Sequence, residues 1–179
     1  MSHRLFIGIR PPVPVREALI DTMEALEGAR WQADEQLHLT LRFIGEVERP
    51  VANDLAAALA SIAWPPFELV VESVSHFERK GAPTAIWARI PHTPALEGLR
   101  KKVERACDLA GLGRETRRFT PHITIARLSR HHTGPLAPWL SRHSGLHATW
   151  QVEEFILFES HLLASGAHYE VAANYPLRS

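Results

Sequence analysis

The stretch that decides the fold is "QLHLTLRFIG", residues 36–45. Large apolar side chains alternate here with polar ones: Leu37, Leu39, Leu41 and Phe43 against His38, Thr40 and Arg42. Because successive side chains of a β-strand point to opposite faces, the pattern predicts a strand with its apolar face in the core. The other face would carry an imidazole, a hydroxyl and a guanidinium in a row. Such a face suggests a binding or catalytic surface.

A second stretch, "RRFTPHITIARL" at residues 117–128, repeats this pattern around His122 and Thr124. His122 lies 84 residues after His38, close to half of the 179-residue chain, and each histidine follows a predicted helix. The repeat suggests two related halves whose polar strand faces converge, with Thr120 in phase with His122. Arg127 is out of phase with them, so a regular strand would point it away from His122 unless the strand bulges.

The order of predicted elements favours an α+β fold with antiparallel sheets. A first helix is expected to run to about Ala29, and the clearest helix is capped by Thr93 and ends at Gly111. Residues 146–160 and 167–177 are expected to form a closing hairpin. Since no linker or low-complexity tract interrupts the chain, we expect one domain over residues 1–179.

Composition narrows the classes of function. Lys+Arg and Asp+Glu are both 20, which excludes a large nonspecific nucleic-acid surface, since that needs a basic excess. A local basic cluster that includes Arg114, Arg117 and Arg118 could contact RNA or form a solvated face. The single cysteine, Cys107, is expected to be a buried thiol. The N-terminal apolar run of five residues is too short for a signal peptide or a membrane span, so we expect a cytoplasmic protein.

The His-x-Thr pattern is weak by itself because it occurs four times. The occurrence at His131 lies in a loop rich in Gly and Pro, where the backbone would not align the two side chains. The one at His147 belongs to an alternating strand and is expected on a solvated face. His131 and His132 do not have the spacing of a metal site, and no metal or other cofactor is expected.

The ordered blocks of the chain resemble one known family. "RLFIGIRPP", "LHLTLRFIGEV", "IWARI", "RRFTPHITIARL" and "WQVEEFILFES" running to "YPL" are similar to the 2H phosphoesterase superfamily, in its RNA 2′,3′-cyclic phosphodiesterase branch, also called the 2′–5′ RNA ligase family. The resemblance implies a bilobal, pseudo-symmetric fold with antiparallel sheets lining a central cleft and helices outside. It also implies metal-independent hydrolysis of RNA 2′,3′-cyclic phosphate ends to 2′-phosphates, with 2′–5′ ligation as the reverse reaction.

By this resemblance His38 is the general acid and His122 the general base. Thr40, Thr124 and Arg42 can then bind the phosphate oxygens, and further substrate contacts are expected from three residues: Arg127, Thr120 and Phe6. Relatives often carry an arginine where this chain has Thr84. If that arginine helps to bind substrate in them, its function in this chain is either lost or supplied by Arg79, Lys80 or Arg89. The expected partners are RNA ends, including tRNA-like fragments, or cyclic nucleotides, with no membrane and a monomeric protein.

Two alternatives stay open from the sequence. The protein could act on another cyclic phosphate or on a 2′,5′-linked nucleotide. It could also be a non-catalytic RNA-binding module that keeps the fold, although both histidines and both motif threonines are intact.

Overall fold

The computed structural model describes residues 1–129 and 134–179. In chain order the elements within those ranges are β1 (Ser2–Ile9), α1 (Val13–Ile20), β2 (Ala29–Trp31), a 3-10 turn (Asp34–Gln36), β3 (Leu39–Glu48), α2 (Arg49–Ala60), β4 (Phe67–Glu72), β5 (Val74–Arg79), β6 (Ala82–Arg89), α3 (Pro94–Leu109), β7 (His122–Leu128), α4 (Ala137–Arg142), β8 (His147–Val152), β9 (Glu154–Leu163) and β10 (Gly166–Pro176).

The architecture is α+β, as predicted. Eight strands form one antiparallel sheet in the order β10-β9-β1-β3-β7-β6-β5, with β2 added beside β7. The two motif strands, β3 and β7, are neighbours at its centre. Within the described ranges they pair only at Leu39 opposite Ile123, so the two halves of the sheet meet at a narrow junction. This antiparallel register sets His38 and Thr40 beside Thr124 and His122 on one face.

The opposite face of the two motif strands belongs to the main hydrophobic core. Leu37, Leu39, Ile123 and Ile125 are fully buried there. Helices α2 and α3 pack on this side through buried aliphatic side chains: Leu55, Leu59, Leu96, Leu99 and Val103. Thr93 caps α3 as predicted, since its hydroxyl accepts a hydrogen bond from the Leu96 amide at 3.2 Å. The apolar alternation thus anchors both strands and leaves their polar side chains facing outward.

Two predicted elements differ from the structure. The first helix ends at Ile20 rather than near Ala29, because the Thr22 hydroxyl bonds the Leu19 carbonyl at 2.6 Å and the chain then turns, with Ala25 at a φ of 53°. Residues 146–160 are not one strand. They divide into β8, which pairs with β4 in a separate two-stranded sheet, and β9, which forms the closing hairpin with β10. Helix α4 was not predicted.

Each motif strand contains a β-bulge one residue after its threonine. In the β1–β3 pairing, Gly8 lies opposite Thr40 and Ile7 opposite Arg42, so Leu41 is the extra residue. In the β6–β7 pairing, Trp87 lies opposite Thr124 and Ile86 opposite Ala126, so Ile125 is the extra residue. A bulge shifts the side chains that follow it to the other face, as far as the next irregularity in the pairing. The bulges therefore reverse the predicted alternation at the same point in both halves.

Within the described ranges, no helix combines the length and the apolar character needed to cross a membrane.

Candidate active site

The two motif histidines are held in matching ways. His38 Nδ1 bonds the carbonyl of Gln36 at 2.7 Å, and His122 Nδ1 bonds the carbonyl of Thr120 at 2.6 Å. Because a carbonyl oxygen can only accept, Nδ1 carries the proton on each neutral ring. This leaves Nε2 as the nitrogen with a lone pair. At His38 that nitrogen lies 2.9 Å from the Thr40 hydroxyl, which donates to it.

Aromatic rings surround both imidazoles. The ring of His38 lies 4.8 Å from Phe6 and 5.3 Å from Tyr169, measured between ring centroids. The ring of His122 lies 5.0 Å from Phe77 and 5.5 Å from Trp87. These contacts fix the ring orientations and take water away from them.

The pKa values of both imidazoles are lowered by this environment. Burial lowers the pKa of His38 to about 4, and the positive charge of Arg127, with that of His122 when it is protonated, adds to the effect. Burial also lowers the pKa of His122, again with a contribution from Arg127. Both rings are therefore neutral at pH 7 in the free protein. An anion bound between them would favour their charged forms and raise both pKa values.

The bulge at Leu41 exchanges the positions expected for Arg42 and Phe43. Phe43 was predicted to face the core but is 41% exposed, whereas Arg42 is 8% exposed. The Arg42 guanidinium bonds Glu104 at 2.6 Å and the Gly113 carbonyl at 3.2 Å. The prediction that Arg42 lies on the His38 face was wrong, because the bulge at Leu41 turns it toward α3.

The second bulge has the opposite consequence for Arg127. Past Ile125, the strand turns Arg127 onto the face of His122 and Thr124, and it lines the same cavity as they do. Arg127 occupies the position in β7 that Phe43 has in β3, three residues after the motif threonine. Strand alternation had placed Arg127 away from the histidines, whereas the bulge brings it into the cavity that they line.

A cavity of about 260 Å³ lies over the junction of β3 and β7. Six residues predicted for the site line it: Phe6, His38, Thr40, His122, Thr124 and Arg127. Four residues that no sequence pattern predicted also line it: Arg4, Gln32, Ser160 and Tyr169. These four come from β1, the β2–β3 connection and the closing hairpin, and no local pattern marked them.

Gly8 permits the close packing beneath His38. It lies opposite Thr40 in the β1–β3 pairing, and an added Cβ would stand 2.7 Å from the carbonyl oxygen of Leu39. A side chain at this position would have to push β1 away from the motif strand. Glycine is therefore required where β1 passes His38.

Other candidate residues lie elsewhere. His147 and Thr149 are exposed on β8, which confirms the predicted solvated face. His131, His132 and Thr133 fall outside the described residues. Across residues 1–129 and 134–179, no group of three His, Cys, Asp or Glu side chains is arranged to hold a metal ion.

A family model described as the 2′-5′ RNA ligase superfamily matches residues 11–162. The chain belongs to this superfamily. An RNA 2′,3′-cyclic phosphodiesterase from Thermus thermophilus is 34% identical over 98% of this chain and 90% of its own length. One from Aeropyrum pernix is 35% identical over 63% of this chain, a match that spans 64% of that relative's length. The crystal structure of Escherichia coli LigT with 3′-AMP superposes with a TM-score of 0.82 and 26% identity, covering all of both chains. The predicted family and fold are confirmed.

Thr84, where the family resemblance led us to expect an arginine, lies on β6. Its hydroxyl donates to the Phe77 carbonyl at 3.3 Å. The neighbouring residue, Ala85, pairs with Arg127 across β6 and β7. Arg127, one of the two arginines that line the cavity, thus lies on the strand adjacent to Thr84. Arg79 and Arg89 are exposed.

Cys107 is predicted to be unreactive in the folded protein. It is fully buried on α3, and burial raises the pKa of its thiol to about 11. Because the thiolate is the reactive form, a disulfide reagent at pH 8 is expected to label no thiol in the native protein and one per chain in urea. Rapid labelling without urea would contradict the buried position.

Proposed function

We propose that this protein hydrolyses 2′,3′-cyclic phosphate ends of RNA to 2′-phosphates, with His38 and His122 transferring the protons. The observation that carries the proposal is the matched pair of imidazoles, each bonded through Nδ1 to a carbonyl and lining one cavity with Thr40, Thr124 and Arg127. The names of the T. thermophilus and A. pernix relatives and the 3′-AMP complex of LigT support this substrate class.

The chemistry requires one base and one acid on opposite sides of phosphorus. In our proposal, His122 Nε2 takes a proton from water as the water oxygen forms its bond to phosphorus. The bond from phosphorus to the ribose 3′ oxygen breaks, and His38 Nε2–H protonates that oxygen. The product carries a 2′-phosphate and a 3′-hydroxyl. With an RNA 5′-hydroxyl attacking phosphorus in place of water, the same groups would form a 2′–5′ linkage, and the ribose 3′ oxygen would again leave as a hydroxyl.

The non-bridging phosphate oxygens need donors that are already in position. Thr40 and Thr124 can each donate a hydroxyl hydrogen bond, and Arg127 can add charge-assisted bonds. Arg42 is not part of this proposed set, because its guanidinium is occupied by Glu104. Phe6 contributes by packing on the His38 ring, and Thr120 contributes through its backbone carbonyl.

The pH dependence of turnover tests how many protons the two imidazoles carry. The reaction needs one protonated and one neutral imidazole, but burial lowers the pKa of both rings below 6.5 and that of His38 to about 4. We therefore expect kcat/KM, which reports the free protein, to be greatest below pH 6.5. Above both pKa values it should fall about tenfold per pH unit, as the single remaining proton is lost.

Substrate binding should move this profile. The cyclic phosphate is an anion and favours imidazolium, so the pKa values in the complex are higher and the optimum of kcat lies at higher pH than that of kcat/KM. Steady-state kinetics with a cyclic mononucleotide between pH 4.5 and 8.5 measures both profiles. A kcat/KM that stays flat or rises from pH 6.5 to 8 would contradict the proposed protonation states.

The direct test is turnover of adenosine 2′,3′-cyclic phosphate in the presence of EDTA, with the product identified by ³¹P NMR. Hydrolysis to the 2′-phosphate supports the proposal. Tight binding without turnover would identify a nucleotide-binding module instead, and turnover that needs an added metal ion would overturn the two-histidine mechanism. That the protein acts as a monomer in the cytoplasm stays a prediction, of which light scattering in solution checks the monomeric state.

A further inference from the structure

A second, larger cavity adjoins the proposed catalytic one. It has a volume of about 500 Å³ and shares Thr40, Phe43 and His122 with its neighbour. The exposed ring of Phe43 lines both, and the guanidinium of Arg4 lies over that ring at 5.3 Å from its centroid. A ligand held between His38 and His122 could therefore extend past Phe43 into this second space.

The second cavity is basic, although the whole chain is neutral. Arg100, Arg117 and Arg118 line it. Arg117 is paired with Glu115, whose pKa its hydrogen bonds lower to about 2. Arg100 lies 3.9 Å from Glu97. Of the residues that the structure describes, no carboxylate pairs with Arg118, which is exposed and available to an anion.

Aromatic faces accompany these cations. Phe77 and Phe119 line the same cavity with Phe43, and the Arg100 guanidinium lies 4.8 Å from the Phe119 ring centroid. Cations alternating with aromatic rings provide the two contacts that single-stranded nucleic acid makes most often, phosphate pairing and base stacking. A purely structural surface would not need this combination beside the histidines.

The wall that carries the arginines is attached to the motif strand. Glu104 bonds Arg42 of β3 and accepts from the Glu115 amide at 3.5 Å, and Arg42 also bonds the Gly113 carbonyl. The segment leading to Arg117 and Arg118 is thereby held in register with His38 and Thr40. These hydrogen bonds hold the wall of the second cavity at a fixed position relative to His38 and Thr40.

We propose that this cavity binds the nucleotide on the 5′ side of the cyclic phosphate end, with Arg100 and Arg118 at its phosphodiester and Phe119 or Phe43 against its base. The proposal rests on the proposed function. A terminal ribose whose cyclic phosphate lies between the histidines continues into RNA through its own 5′ oxygen. The chain then needs an exit that accepts negative charge, and the basic cavity begins at Thr40 and His122. The preferred substrate is accordingly an oligonucleotide.

The experiment compares two substrates that differ by one nucleotide: adenosine 2′,3′-cyclic phosphate and the dinucleotide ApA ending in 2′,3′-cyclic phosphate. We expect kcat/KM of the wild type to be about tenfold higher for the dinucleotide. Arg118→Gln and Arg100→Gln should each lower the dinucleotide-to-mononucleotide ratio about fivefold. Lys102→Gln is the matched control, since it removes an exposed charge from α3 outside the cavity, and it should keep the wild-type ratio.

Salt dependence gives an independent readout. One added phosphate contact should steepen the slope of log kcat/KM against log salt by about 0.7 for the dinucleotide, and Arg118→Gln should remove that difference. Equal kcat/KM for both substrates in the wild type would overturn the inference. It would also be overturned if the arginine variants lowered kcat/KM for both substrates by the same factor. Failure of the proposed function looks different, because neither substrate would then be hydrolysed.

Discussion

Replacing His122 with alanine is expected to lower kcat for 2′,3′-cyclic nucleotides by about 10³-fold, and His38→Ala should do the same. Each change would remove one of the two groups proposed to exchange a proton with a reacting oxygen, while Thr40, Thr124 and Arg127 would still bind the phosphate. KM should therefore change much less than kcat. Steady-state kinetics at the wild-type pH optimum measures both constants.

The matched control is His147→Ala. His147 belongs to another His-x-Thr sequence, yet it lies on the exposed face of β8, so its replacement should leave kcat unchanged. Chemical unfolding of all three variants checks that the losses do not come from unfolded protein. If His38→Ala and His122→Ala both keep wild-type turnover, the proposed site is wrong.

A second substrate separates the two roles. Bis(p-nitrophenyl) phosphate releases a phenolate that needs no proton, so the loss of a general acid matters little for it. With His38 as acid and His122 as base, His38→Ala should retain much more of its activity toward this diester than His122→Ala. The reverse order would exchange the roles. One structural observation favours the exchanged roles. Burial lowers the pKa of His38 to about 4, and an imidazole with this pKa is better suited to act as a base until the substrate anion raises its pKa.

The sequence predicted the parts of the site that depend on short-range regularity. His38, Thr40, His122 and Thr124 face one cavity because strand alternation holds up to each threonine. The alternation ends at the residue after each threonine, where the bulge lies. The bulges depend on how β1 and β6 pair with the motif strands. No sequence pattern within β3 or β7 marks them, since both extra residues, Leu41 and Ile125, are ordinary apolar strand residues.

Site residues that lie on distant strands could not be predicted from local sequence patterns either, because their positions also depend on strand pairing. Tyr169 contacts His38 from β10, 131 residues along the chain, and its place depends on the β9–β10 register, which itself contains an irregularity between Val171 and Ala173. The acceptor of His38 was missed because a backbone carbonyl, that of Gln36, does this work and any residue type could provide it. Contacts of this kind become visible only when the strand pairing is known.

The ion pair of Arg42 and Glu104 should have the largest effect on stability. Arg42→Met is expected to lower the free energy of unfolding by about 3–5 kcal/mol, because it leaves the Glu104 carboxylate, whose side chain is only 19% exposed, without its cation. The other oxygen of that carboxylate, Oε1, is already buried without a hydrogen-bond partner among the described residues. Urea unfolding followed by tryptophan fluorescence measures the loss. The double variant Arg42→Met/Glu104→Met should recover most of it, since an apolar pair of similar volume replaces the charges.

Two further variants distinguish this structural role from phosphate binding. Arg117→Gln breaks the exposed pair with Glu115 and should cost less than about 1 kcal/mol, which shows that burial rather than charge pairing accounts for the effect of Arg42. Arg127→Met should show the opposite profile to Arg42→Met, with nearly wild-type stability but a kcat/KM for the cyclic mononucleotide lowered about 10²-fold. If Arg42→Met unfolds like the wild type and loses turnover instead, then Arg42 leaves Glu104 to bind the phosphate, and the bulge at Leu41 does not separate the roles of Arg42 and Arg127.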